Sequence, residues 1–166
     1  MITKKNVHNN LAELDLMFQS ARSRRKLLFY SKLAILELCG WIEITMDEII
    51  KNYQIRNISD NKNIEWIDKV ISNTYSFEYK KFKNMVISLI GVCKVEKIEA
   101  SLDATGDLQR LKSTLGSLKT KRDKVAHTHI YHGTTPSIYA PSNIIRDFQY
   151  VFNGLRAYEK ELKRIK

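Results

Sequence analysis

Arg122 and His127 stand five positions apart at the end of a leucine-striped segment, and they are the most chemically specific pair in the chain. Leu108, Leu111, Leu115 and Leu118 recur at helical spacings of three and four, and the next position in that stripe is Arg122. A guanidinium there needs either a buried carboxylate partner or an anionic ligand, because an unpaired cation is strongly disfavoured in an apolar setting. Glu43 is the candidate partner. It shares a helical strip with Leu33, Leu36 and Gly40, and the bare glycine lets a neighbouring helix come close. A Glu43–Arg122 pair would be purely structural or would hold the guanidinium for catalysis. On a regular helix, five residues separate Arg122 from His127 by ~7.5 Å along the axis and ~140° around it. One site using both side chains requires the helix to loosen near His127, or two copies of the helix to meet. The second option predicts a symmetric dimer with these helices at its two-fold axis.

The elements that position such residues are helices. Glycine (6) and proline (2) are scarce among 166 residues, both prolines fall after residue 135, and long stretches carry no turn chemistry. The fold expected is all-α: a single-domain up-and-down helical bundle of four to six helices spanning residues 1–166. A first helix is expected over about 4–19, with Leu11, Leu14, Met17 and Phe18 inward. A long central helix follows over about 26–53, where Leu28, Ile35, Cys39, Ile42, Met46, Ile49 and Tyr53 make one stripe. The polar stretch 57–63 reads as a loop, 64–72 as a short helix, and 76–92 as a helix capped by Asn73 or Ser76. Residues 93–103 read as a loop with a partial turn. The motif helix runs from Asp103 or Asp107, the latter a possible cap, to His127. Residues 128–142 carry both prolines and cannot continue a helix, and the last helix starts near Pro141.

The formal net charge is +10, from 28 basic against 18 acidic residues, which favours polyanionic partners. Basic clusters recur at Arg22–Lys26, Lys80–Lys83, Lys119–Lys124 and Lys160–Lys166, although bundle helices are also coated with charge for solubility. Charge alone also admits a DNA-binding protein, but no helix-turn-helix spacing places a recognition helix. No segment approaches the ~18 uninterrupted apolar residues of a membrane span. Cys39 and Cys93 lie in apolar helical stretches without paired spacing, so buried free thiols and a cytoplasmic location are expected. The run His127, His129, His132 invites a metal reading, but no Cys, Asp or Glu follows to complete a shell, and no metal or other cofactor is expected. Trp41, Phe148, Phe152 and Tyr158 read as core, whereas Tyr131 and Tyr139 are better placed to meet a base.

The wording Lys121-Arg122-Asp123-Lys124-Val125-Ala126-His127 resembles the Arg-x4-His motif of the HEPN superfamily. The upstream segment from Leu36 to Glu43, followed by Ile49 to Tyr53, is similar to the second helix of the RiboL-PSP-HEPN type. The resemblance implies a metal-independent endoribonuclease of the toxin or antiphage-defence kind, working as a homodimer with its site between the two motif helices. Arg122 would hold the scissile phosphate. His127 would take the proton of the RNA 2′-OH or give one to the leaving 5′-oxygen. Asp123 and Glu43 would orient these groups. Lys119, Lys121 and Lys124 would track the RNA backbone, and His129, Tyr131 and His132 would line the cleft mouth. Cleavage would leave a 2′,3′-cyclic phosphate and spare DNA. An antitoxin or defence-system protein is a possible partner. Position 129 departs from certain relatives, which carry a modified tyrosine there. The alternative is a non-catalytic module of the same fold that binds RNA, a nucleotide or a partner protein.

Overall fold

The computed structural model describes residues 2–126 and 137–165, and the fold is an all-α bundle of seven helices among them. They are α1 (Lys5–Ser20), α2 (Arg24–Asn57), α3 (Asn61–Ser72), α4 (Tyr79–Ile90), α5 (Val92–Ala104), α6 (Asp107–Ala126) and α7 (Pro141–Arg164). No described helix is long and apolar enough to cross a membrane.

Cross-helix contacts fix the directions of the four long elements. The Trp41 indole donates to the Thr3 carbonyl at 3.2 Å and Asn10 donates to Glu37 at 2.6 Å, so α1 and α2 run antiparallel. Ser142 N–H donates to Asp15 at 2.9 Å, and Ile2 N–H at the other end donates to Glu159 at 3.3 Å, which makes α7 antiparallel to α1. Lys121 meets Asp147 at 2.6 Å while Leu111 lies against Gly154, so α6 runs opposite to α7. The sequence α1, α2, α6, α7 is therefore up, down, up, down, with α3 to α5 inserted between α2 and α6. A single apolar cluster joins residues of all seven helices, including Leu11, Ile35, Ile42, Ile67, Phe82, Val95, Leu111 and Phe148. Each such side chain contributes on the order of 2 kcal/mol through its removal from water.

Local chemistry sets the boundaries. Ser23 caps α2 by accepting from Lys26 N–H, and Asp60 caps α3 by accepting from Asn63 N–H at 3.0 Å. Residues 93–103 are helical, contrary to the loop expected there. Gly91, at φ +80°, breaks the chain after α4, and Val95, Ile98 and Leu102 then bury one face of α5. The extra helix raises the count from the expected four to six to seven. Asp107 is the first residue of α6 rather than its cap. Arg110 N–H bonds the carbonyl of Gly106, whose φ of +74° makes the turn. Neither Asn73 nor Ser76 caps α4, which starts after Glu78 without a side-chain cap.

Three burial expectations are corrected. Met17 lies on the outer side of α1 and is exposed, while Leu11 and Leu14 are buried. Cys93 is exposed because it sits on the first turn of α5, off its buried face, whereas Cys39 is buried. Among the described residues nothing lies within 4 Å of where a Cβ would stand on Gly40, so no described helix makes a close approach there. The close approach is at Gly154, where a Cβ would meet Leu111 Cβ at 2.9 Å.

Candidate functional site

Leu108, Leu111, Leu115 and Leu118 are all buried on α6, and Val125 resumes the stripe one turn beyond Arg122. The side chain of Arg122 is three-quarters covered, yet its head reaches the edge of the bundle. There it meets α2. Arg122 Nη1 donates to Glu43 Oε1 at 3.0 Å, and Nε and Nη2 donate to Asp123 Oδ1 at 3.2 and 3.1 Å. The guanidinium plane lies over the Phe77 ring, 5.1 Å from its centroid. Of the expected site residues, Arg122, Asp123 and Glu43 thus converge, and Lys119 joins them through Asp123 Oδ2 at 3.3 Å and Glu78 at 3.9 Å.

The electrostatics follow from that packing. The hydrogen bonds from Arg122, supported by Lys119, hold the Asp123 carboxyl below its ordinary range. Burial pushes the Cys39 thiol up to about 12, and the nearby Arg122 charge only partly offsets it. Cys39 is therefore a protonated core thiol and not a nucleophile. Beside Glu43 a cleft of about 240 Å³ is lined by Met46, Asp47, Thr74, Tyr75, Ser76 and Met85. Burial raises the pKa of Asp47 there, with Glu43 adding to the shift against the opposing charge of Lys51.

Lys121 is turned to a different partner. Its Nζ lies 2.6 Å from Asp147 Oδ2 and 5.6 Å from the Tyr139 ring centroid, and both ends of the ion pair are largely covered. It is engaged in holding α6 to α7, and Tyr139 is drawn into the same contact. Lys124 is exposed. His127, His129, Tyr131 and His132 lie outside the described residues, and His127 follows Ala126, the last residue of α6, directly in the chain. Among the described residues no group of three or more His, Cys, Asp or Glu side chains is arranged to hold a metal ion.

Sequence reasoning missed Phe77, Glu78 and Asp147. Phe77 sits in an irregular stretch with no periodicity to mark it as the floor under Arg122. Asp147 lies 26 positions from Lys121, and only the antiparallel α6–α7 packing unites them. Its signal was an acidic residue on the otherwise apolar side of α7, next to Phe148 and Val151. Comparison of the chain with family models, curated proteins and solved structures gives no match.

Proposed function

We propose that the chain is a metal-independent endoribonuclease of the HEPN kind, acting as a homodimer at a composite site built on Arg122 and His127. The observation that carries this reading is the position of Arg122. A cation interrupts an otherwise buried leucine stripe, and an aromatic floor and two carboxylates fix its orientation while the head stays open to solvent. A guanidinium held this way matches two oxygens of a phosphodiester and remains charged at any working pH. Phosphate binding displaces the half-exposed Asp123 carboxylate, while Glu43 on the opposite helix keeps the guanidinium aimed. His127 accepts the 2′-OH proton as that oxygen attacks phosphorus, and an imidazolium protonates the leaving 5′-oxygen. The products are a 2′,3′-cyclic phosphate and a 5′-hydroxyl. Lys119 and Lys124 attract the backbone, and toxin or antiphage roles with a partner protein fit such an activity.

One observation favours the second reading, a non-catalytic module that binds RNA, a nucleotide or a protein. All three guanidinium nitrogens of Arg122 already have carboxylate partners, as a purely structural pair would. Incubating the full chain with RNA and with DNA in EDTA separates the two. The nuclease reading expects RNA fragments ending in 2′,3′-cyclic phosphate and intact DNA. Retained RNA binding without cleavage over a broad transcript panel would establish the module instead.

A further inference from the structure

α2 is buried on one side only. Leu28, Ala34, Ile35, Leu38, Cys39, Ile42, Met46 and Ile49 face the core, and on the opposite side Phe29, Leu33 and Ile44 are 47%, 50% and 61% exposed. At 100° per residue these three fall with Leu36 and Gly40 on one strip of the helix back, about 80° wide. An apolar strip of that length, open to water on a 34-residue helix, marks an interaction surface. Gly40 at its centre is bare, with no described residue within 4 Å of its missing Cβ.

The charges beside the strip identify the occupant. Towards the N-terminus of α2 stand Arg22, Arg24, Arg25 and Lys26, with no acidic residue from position 16 to position 36. Towards its middle stand Glu37, Glu43, Asp47 and Glu48, with no basic residue from position 33 to position 50. Of these, Arg25 and Lys26 at one end and Asp47 and Glu48 at the other border the strip, so the back of α2 complements itself when turned end for end.

We infer that this face of α2 docks a second copy of the chain, α2 against α2 and antiparallel across a two-fold axis near Leu36. In that register Phe29 of one copy covers Ile44 of the other, Leu33 seats on the bare Gly40, and Arg25 and Lys26 face Glu48 and Asp47. Every contact occurs twice, as an isologous interface requires. This pairing specifies the dimer on which the proposed nuclease site rests. α6 runs antiparallel to α2 and crosses it at the Arg122–Glu43 contact, so the four residues beyond Arg122 carry Ala126 ~6 Å towards the axis. Both α6 C-termini then end close to the level of the two-fold axis along the dimer, and each Arg122 lies ~10 Å to one side of that level along α2.

The test is the mass of the full chain in solution by light scattering, with helicity by circular dichroism and RNA cleavage on the same samples. The wild-type chain is expected at twice 19.4 kDa at micromolar concentration. Gly40→Arg and Leu33→Asp are expected at the monomer mass with unchanged helicity, because neither position touches the protomer's own core. Arg25→Glu with Lys26→Glu is expected to weaken the dimer about tenfold at low salt and far less at 1 M salt. A wild-type monomer at all accessible concentrations, or a Gly40→Arg chain that stays dimeric, overturns the interface. A wild-type dimer split by these substitutions but inert on RNA upholds the interface and removes the nuclease reading alone.

Discussion

Replacing Arg122 with leucine completes the α6 stripe and separates what the guanidinium does for stability from what it does for function. The substitution removes the ion pair with Glu43, whose partners are 25% and 42% exposed. A pair so open to solvent contributes about 1 kcal/mol or less. The Asp123 carboxylate, 43% exposed, returns to water. Against these losses, leucine places apolar surface on Phe77 and the neighbouring core, regaining on the order of 1 kcal/mol at ~25 cal/mol per Å². The two terms nearly cancel, so Arg122→Leu is expected to unfold within about 1 kcal/mol of the wild-type chain, a Tm change of about 2–4 °C at most. Activity on RNA is expected to be lost over the same substitution. Urea unfolding followed by circular dichroism, run beside the RNA assay, reads both quantities. A loss of more than about 3 kcal/mol is the signature of breaking a buried structural pair, and it would refute the argument that Arg122 is held there for a ligand.

Three further outcomes follow from particular contacts. Gly154→Ala is expected to destabilise by about 1–3 kcal/mol because its Cβ would meet Leu111 Cβ at 2.9 Å, whereas Gly116→Ala in open space on α6 should stabilise by about 0.5–1 kcal/mol; thermal melts of the pair check the contrast. A thiol reagent at pH 8 is expected to modify one cysteine per native chain, Cys93, because burial keeps Cys39 protonated up to about 12, and mass spectrometry identifies the site. Burial raises the pKa of Glu99, but hydrogen bonds from Lys83 and Tyr79 outweigh it and leave the carboxyl below its ordinary 4.5. Its contribution is therefore complete above pH 4.5 and lost as pH falls through the lower folded value, so Glu99→Gln should narrow the stability difference between pH 6 and pH 3.

Helical periodicity carried most of the fold. The apolar strips of α2, α6 and α7 recur at three and four over many turns, and that spacing forces helices which bury one face together. Tyr53 closed the expected stripe of α2, but Gln54 extends it by donating to the Ile64 carbonyl and to Asp68, contacts invisible along one helix. α5 was hidden because its three buried residues alternate with Lys94, Glu96, Lys97 and Glu99, which dilute the pattern. At the site, the Arg122–Glu43 contact was legible because each residue breaks an apolar strip and one charge requires the other. Gly40 was misread for a related reason: the missing side chain was visible in sequence, but its side of the helix could be assigned only once the core face of α2 was known. Lys121 was misread because nothing local distinguishes a lysine that tracks solvent from one drawn to Asp147 across an interface.

The composite nature of the site is most directly tested by mixing two inactive chains, Arg122→Ala and His127→Ala, after exchange of their subunits. If each site takes its guanidinium from one protomer and its imidazole from the other, half of the mixed dimers are heterodimers carrying one intact site each. The expected RNA cleavage in EDTA is then about one quarter of the wild-type rate. A mixture as inert as either chain alone, with heterodimers present and the wild type active, would contradict a site shared across the two-fold axis.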